Sequence, residues 1–192
     1  MNISSLDSDK NVMQLVKQRF FAMRNGVVAD TLRQAGCSYK IIFGLNLPQL
    51  REIAGVFGFN RELAYDLWAN TSTRESRLLA PMFIDASAFT FDDALEFVSG
   101  DFYSAEEIDL LCHSLLRKTS FVNRLIEIFG DSHRPELRYL ALRLAFGRVS
   151  ENPELAWSLS SRELERADAF TSTIARQLSA EAAYWLAEHE NV

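Results

Sequence analysis

The chain has 192 residues, of which 48% are hydrophobic and 24% charged, a length and balance that fit one globular domain with a sizeable core and exclude a disordered polar chain. Its formal net charge of −6 excludes a uniformly basic surface of the kind that wraps nucleic acid, while leaving room for a local basic strip. Eight Gly and four Pro are few, and apolar residues recur at steps of three and four, which argues against a turn-rich β fold and predicts an all-α protein.

In chain order, residues 1–10 carry no apolar leader-like run, and no later stretch is apolar for long enough to cross a bilayer. The expectation is a soluble, cytoplasmic protein with no membrane partner. Over residues 10–23, Val12, Met13, Val16, Phe20 and Met23 fall on one helical face, and Arg24-Asn25-Gly26 reads as a helix end or bend. A second helical segment precedes Gly36. Pro48 suits the first turn of the next helix, in which Leu50, Ile53, Ala54 and Phe57 form the buried stripe before Gly58 stops it. These N-terminal helices span residues 9–58. Asn60 then caps a helix carrying Leu63, Leu67 and Trp68.

From here the pattern repeats. Residues 67–80 and 128–141 share one grammar: an apolar pair, a polar turn, Ser-x-Arg, an acid, an Arg and an apolar run. Three hairpins over residues 60–148 have second helices starting near Thr73, Ser104 and Pro135, a step of roughly 30 residues, short for helical repeats. A hairpin of this kind cannot bury its apolar face alone, so the spacing predicts a HEAT-like α-α superhelix of stacked antiparallel helix pairs with one concave side. C-terminal helical segments follow at residues 153–159, 164–178 and 180–189, with Trp157 and Trp185 packed inside. The whole of residues 1–192 reads as a single helical-repeat domain.

In this register Arg77, Asp109 and Arg138 take equivalent positions in successive hairpins, roughly 10 Å apart, making an Arg, Asp, Arg row. Arg74 and Arg134 share a helix side with Arg77 and Arg138. Cations in first helical turns oppose the macrodipole, whereas the unpaired N–H groups there favour an anion, and a phosphate would relieve the conflict. The competing reading pairs the same arginines with Glu75, Asp109 and Glu136 as ion pairs on a partly solvated face.

The acids Asp92, Asp93, Glu96, Asp101, Glu106, Glu107 and Asp109 read as a solvated face with helix-start carboxylates. His113, His133 and His189 have no zinc-ligand spacing, so no metal is expected. Cys37 and Cys112 belong to no ligand-spaced cluster and suit a reduced thiol state without a structural disulfide. Trp68, Trp157 and Trp185 read as core residues. No phosphate-loop, dinucleotide or nucleophile-elbow motif is present.

The run Phe43-Gly44-Leu45-Asn46-Leu47-Pro48-Gln49-Leu50-Arg51-Glu52-Ile53-Ala54, with Leu67-Trp68 and then Arg74-Glu75-Ser76-Arg77-Leu78-Leu79-Ala80, resembles the AlkD-like DNA alkylation repair family. The resemblance is clearest over residues 39–85 and looser to residue 146. It implies HEAT-like repeats, duplex DNA held on the concave face, and metal-independent hydrolysis of the N-glycosidic bond of cationic N-alkylated purines, with no cofactor. It also implies that Asp109 is the catalytic aspartate and that Arg138 holds the DNA backbone; the first-turn argument adds Arg74, Arg77 and Arg134 as further phosphate ligands. The aromatic partners do not carry over: Ser104 and Ala105 stand where the family has tryptophans, and residues 171–177 lack the later one. The alternative is a non-catalytic helical-repeat scaffold with a protein or peptide on the same concave face.

Overall fold

The computed structural model describes the backbone of residues 3–190 and the side chains of residues 12–188, so the reading of residues 1–10 and of His189 lies outside the described side chains. Eleven α-helices and no β-strand occur among the described residues. The chain divides into two compact units, Met1–Asp93 and Ala94–Val192.

The first unit holds α1 (Ile3–Ala22), α2 (Gly26–Gln34), α3 (Leu47–Phe57), α4 (Arg61–Ala69) and α5 (Arg74–Leu79). Local chemistry sets the boundaries. Asn25 accepts the Val28 N–H and opens α2; Asn46 and Gln49 form a capping box at the start of α3, where Pro48 lies in the first turn. Asn60 accepts the Leu63 N–H and starts α4. Each such cap contributes about 1 kcal/mol. Pro81 cannot donate to the preceding turn, so α5 gives way to a 3-10 turn at Ala80–Phe83. The face expected on α1 is present, with Val16 and Phe20 buried, and α1 packs on α3 and α4 over Leu50, Ile53, Leu63 and Leu67.

The motif in residues 43–45 and 74–77 is a lock. Glu75 is wholly buried, and its carboxylate accepts the backbone N–H groups of Phe43 and Gly44 at 3.0 Å and of Leu45 at 3.3 Å. Arg74 neutralises it at 2.9 Å and donates to the Leu45 carbonyl. Gly44 has φ 78, and a Cβ there would lie 2.3 Å from the Asn25 carbonyl oxygen, so only glycine fits the loop between α2 and α3. A parallel bridge joins Ile41 to Thr73 beside this lock.

The unit boundary falls within α6 (Phe91–Phe97). The second unit continues with α7 (Ala105–Ser114), a 3-10 turn at Leu116–Lys118, α8 (Val122–Gly130), α9 (Pro135–Phe146), α10 (Pro153–Arg166) and α11 (Ser172–Glu190). Helix α9 packs against α7, α8, α10 and α11, which is why Leu140, Ala141, Leu142 and Leu144 are buried around its circumference. Gly130 sits where a Cβ would meet Leu159 Cδ1 at 2.6 Å, letting α8 and α10 approach.

Helices begin at Arg74, Ala105 and Pro135, close to the expected starts at Thr73, Ser104 and Pro135; Ser104 accepts the Glu107 N–H, and α5 packs on α4 and α9 on α8. Other expectations change. The three C-terminal segments are two helices, because Ser160 donates to the Trp157 carbonyl and stays helical, and the break falls at Ala167, which takes the left-handed φ of 53. Trp157 is 43% exposed and not a core residue. Glu107 belongs to no solvated face: it is fully buried, accepting the Tyr103 N–H, and burial raises its pKa to about 8. No described helix is long and apolar enough to cross a membrane.

Candidate functional site

Helix α7 presents Asp109, Cys112 and His113 on one face, at spacings of three and four, toward Tyr139 and Arg143 of α9, themselves four apart. The Asp109 carboxylate accepts from Arg143 Nε at 2.7 Å and from the Tyr139 hydroxyl at 3.1 Å. Tyr139 is steadied from the other side by the Phe170 ring at 5.2 Å. Cys112 closes the α7–α9 seam from within, its buried thiol donating to the Leu140 carbonyl at 3.8 Å.

A cavity of about 200 Å³ opens here, lined by Asp109, His113, Arg117 and Arg143 over a base that includes Leu144 and Phe146. Arg143 spends Nε on Asp109, while no described acceptor takes its two terminal nitrogens. Arg117 is exposed and pairs with no described acid. Two guanidinium groups and two carboxylates, Asp109 and the neighbouring Glu106, thus share this region, and the terminal nitrogens of Arg143 and the side chain of Arg117 can take an anionic oxygen. Burial raises the Asp109 pKa, and the Arg143 charge and the Tyr139 hydrogen bond oppose that rise. Burial and the neighbouring Asp109 charge push the Tyr139 hydroxyl up to about 12, so it stays a proton donor at neutral pH.

The arginines singled out from the sequence lie elsewhere. Arg74 is 5% exposed in the Glu75 lock. Arg77, 4% exposed, donates to the Trp68 carbonyl and lies over the Trp68 ring at 3.6 Å. Arg134 reaches the carbonyls of Val98, Ser99 and Gly100 and passes Glu136 at 3.9 Å. Arg138, 7% exposed, binds both oxygens of buried Glu163 at 3.0 Å, Asp168 at 2.8 Å and the carbonyls of Ser132 and His133. Its partners are therefore α10 and the α10–α11 loop, and the arginine beside Asp109 is Arg143.

The repeat register points to arginines in first helical turns, whereas Arg143 lies two turns into α9 and Arg117 in the turn after α7. The available signal was the pair Tyr139 and Arg143 at i, i+4, beyond the first-turn charges Glu136 and Arg138 of the same helix. No three His, Cys, Asp or Glu side chains gather to hold a metal among the described residues.

Comparison with family models, with curated proteins and with solved structures gives no match. Fold and site together define an all-helical protein whose second unit carries a carboxylate and two guanidinium groups at one small cavity, with a phenol hydrogen-bonded to the carboxylate.

Proposed function

We propose that the protein binds duplex DNA and that the Asp109 cavity meets the sugar-phosphate backbone, in the manner of the alkylation repair family that residues 39–85 resemble. In this reading the hairpins are HEAT-like repeat units. The observation that carries it is the carboxylate of Asp109 held by Arg143 and Tyr139 at an accessible cavity that Arg117 also lines. The terminal nitrogens of Arg143 and the side chain of Arg117 take phosphate oxygens. Arg134 and Arg138 act as braces of α9, on the carbonyls of Val98–Gly100 and on Glu163, while Arg74 and Arg77 brace the first unit.

The chemistry follows from the same geometry. An N-alkylated purine is already cationic, so its glycosidic bond breaks with the electron pair leaving on the base. Asp109 stabilises the positive charge that develops at the sugar and takes a proton from the water that adds there. Tyr139 donates to Asp109 and holds the carboxylate in place. Release of methylated purine from alkylated duplex DNA tests this step: it falls at least about 100-fold in Asp109→Asn, and an unmodified protein that releases none contradicts it.

The second reading, a non-catalytic helical scaffold for a protein or peptide, draws support from the same arginines. Three of the four expected phosphate ligands are at most 7% exposed and engaged with protein acceptors, and the chain is acidic overall. A partner retained from nuclease-treated extract, with no shift of duplex DNA, favours it.

A further inference from the structure

We propose that the first unit contains a second binding site, for a small aromatic carboxylate, in the cavity between α1 and the α4–α5 turn. It is independent of the Asp109 cavity. The space measures about 400 Å³, within the roughly 300–1,000 Å³ of small-molecule pockets.

One wall is aromatic. Phe43 meets Phe21 edge-on at 4.9 Å and Phe20 at 5.5 Å, and Phe21 remains 56% exposed although it is held in place by that contact. A planar ring entering the cavity has these faces and edges to pack against. The opposite wall is polar and buried. Thr73 and Ser76 are 5% and 1% exposed, and each oxygen accepts from the Asn70 amide, at 3.4 and 3.2 Å. No described acceptor takes either hydroxyl proton, so both remain available to an acceptor on a ligand in the cavity.

Charge selects the acceptor. Lys17 lines the cavity and no acid does among the described residues, which favours an anionic acceptor. A carboxylate satisfies the hydroxyl donors and the ammonium together, and a ring attached to it reaches the phenylalanines. The backbone supports this arrangement: the Ile41 N–H donates to the Ser72 carbonyl and the Arg74 N–H to the Ile41 carbonyl, fixing the rim to the Glu75 lock.

The test is a titration of the full chain with phenylacetate, followed by saturation-transfer NMR, alongside benzyl alcohol, which lacks the charge, and acetate, which lacks the ring. Saturable binding of phenylacetate is expected, with benzyl alcohol weaker and acetate weaker still. Lys17 and Phe21 are exposed, so their substitution leaves the fold intact. Lys17→Gln weakens phenylacetate several-fold and leaves benzyl alcohol unchanged, whereas Phe21→Ala weakens both. Absence of saturable phenylacetate binding overturns the proposal, as does binding that neither substitution alters.

Discussion

The Glu75 carboxylate lies 3.0 Å from the backbone nitrogen of Gly44, a residue 31 positions earlier, and this contact joins the two most distinctive stretches of the sequence. Because Glu75 takes the Gly44 and Leu45 N–H groups on one oxygen and the Phe43 N–H on the other, a glutamine there sets an NH2 group against a backbone donor and removes the charge facing buried Arg74. Glu75→Gln is expected to cost roughly 3 kcal/mol, as for other broken buried pairs. Urea unfolding measures it, and a loss within experimental scatter would mean the loop is held by other contacts.

Two backbone positions give effects of opposite sign. Gly44→Ala puts a Cβ onto the Asn25 carbonyl at a positive φ and should destabilise by more than about 1 kcal/mol. Ala167 ends α10 at φ 53, where glycine carries no Cβ penalty, so Ala167→Gly should stabilise by up to about 1 kcal/mol. Thermal melts of both variants check the pair.

Much of the local structure was legible because it depends on local chemistry. Asn60 and Pro48 announced the starts of α4 and α3, and the Ser104 and Pro135 positions announced α7 and α9. The site was legible only at Asp109. Which arginine reaches it depends on how α9 turns against α7 and α10, and that rotation sends Arg138 to Glu163 and Arg143 to Asp109. Trp157 misled for a related reason, since an aromatic residue on a helix does not declare whether a neighbour covers it.

Glu107 makes stability pH-dependent. Its pKa rises from the ordinary 4.5 to about 8 on folding, so between those values the native state holds a proton that the unfolded chain has lost. Stability therefore declines as pH rises across that window, by up to about 1.4 kcal/mol per pH unit from this group. Glu107→Gln, which keeps the shape without the charge, should flatten the decline. A wild-type profile equally steep in that variant would assign the dependence elsewhere.

Arg138 and Glu163 form the brace between α9 and α10, with Thr171 and Arg166 also donating to Glu163. Arg138→Lys loses the fork that spans Glu163, Asp168 and two carbonyls, and should cost about 3 kcal/mol. The loss in the double variant with Glu163→Gln should fall well short of the sum of the singles. Additive losses would show that the two side chains act separately.

The central claim is that the cavity at Asp109 contacts DNA through Arg143 and Arg117. Its direct measurement is the affinity for duplex DNA carrying an abasic-mimic nucleotide, titrated at two salt concentrations for the unmodified protein, Arg143→Gln and Arg117→Gln. The account predicts binding that weakens as salt rises, and a log–log slope smaller by about one for each arginine removed. No binding at low salt, or a slope that neither substitution changes, would contradict it.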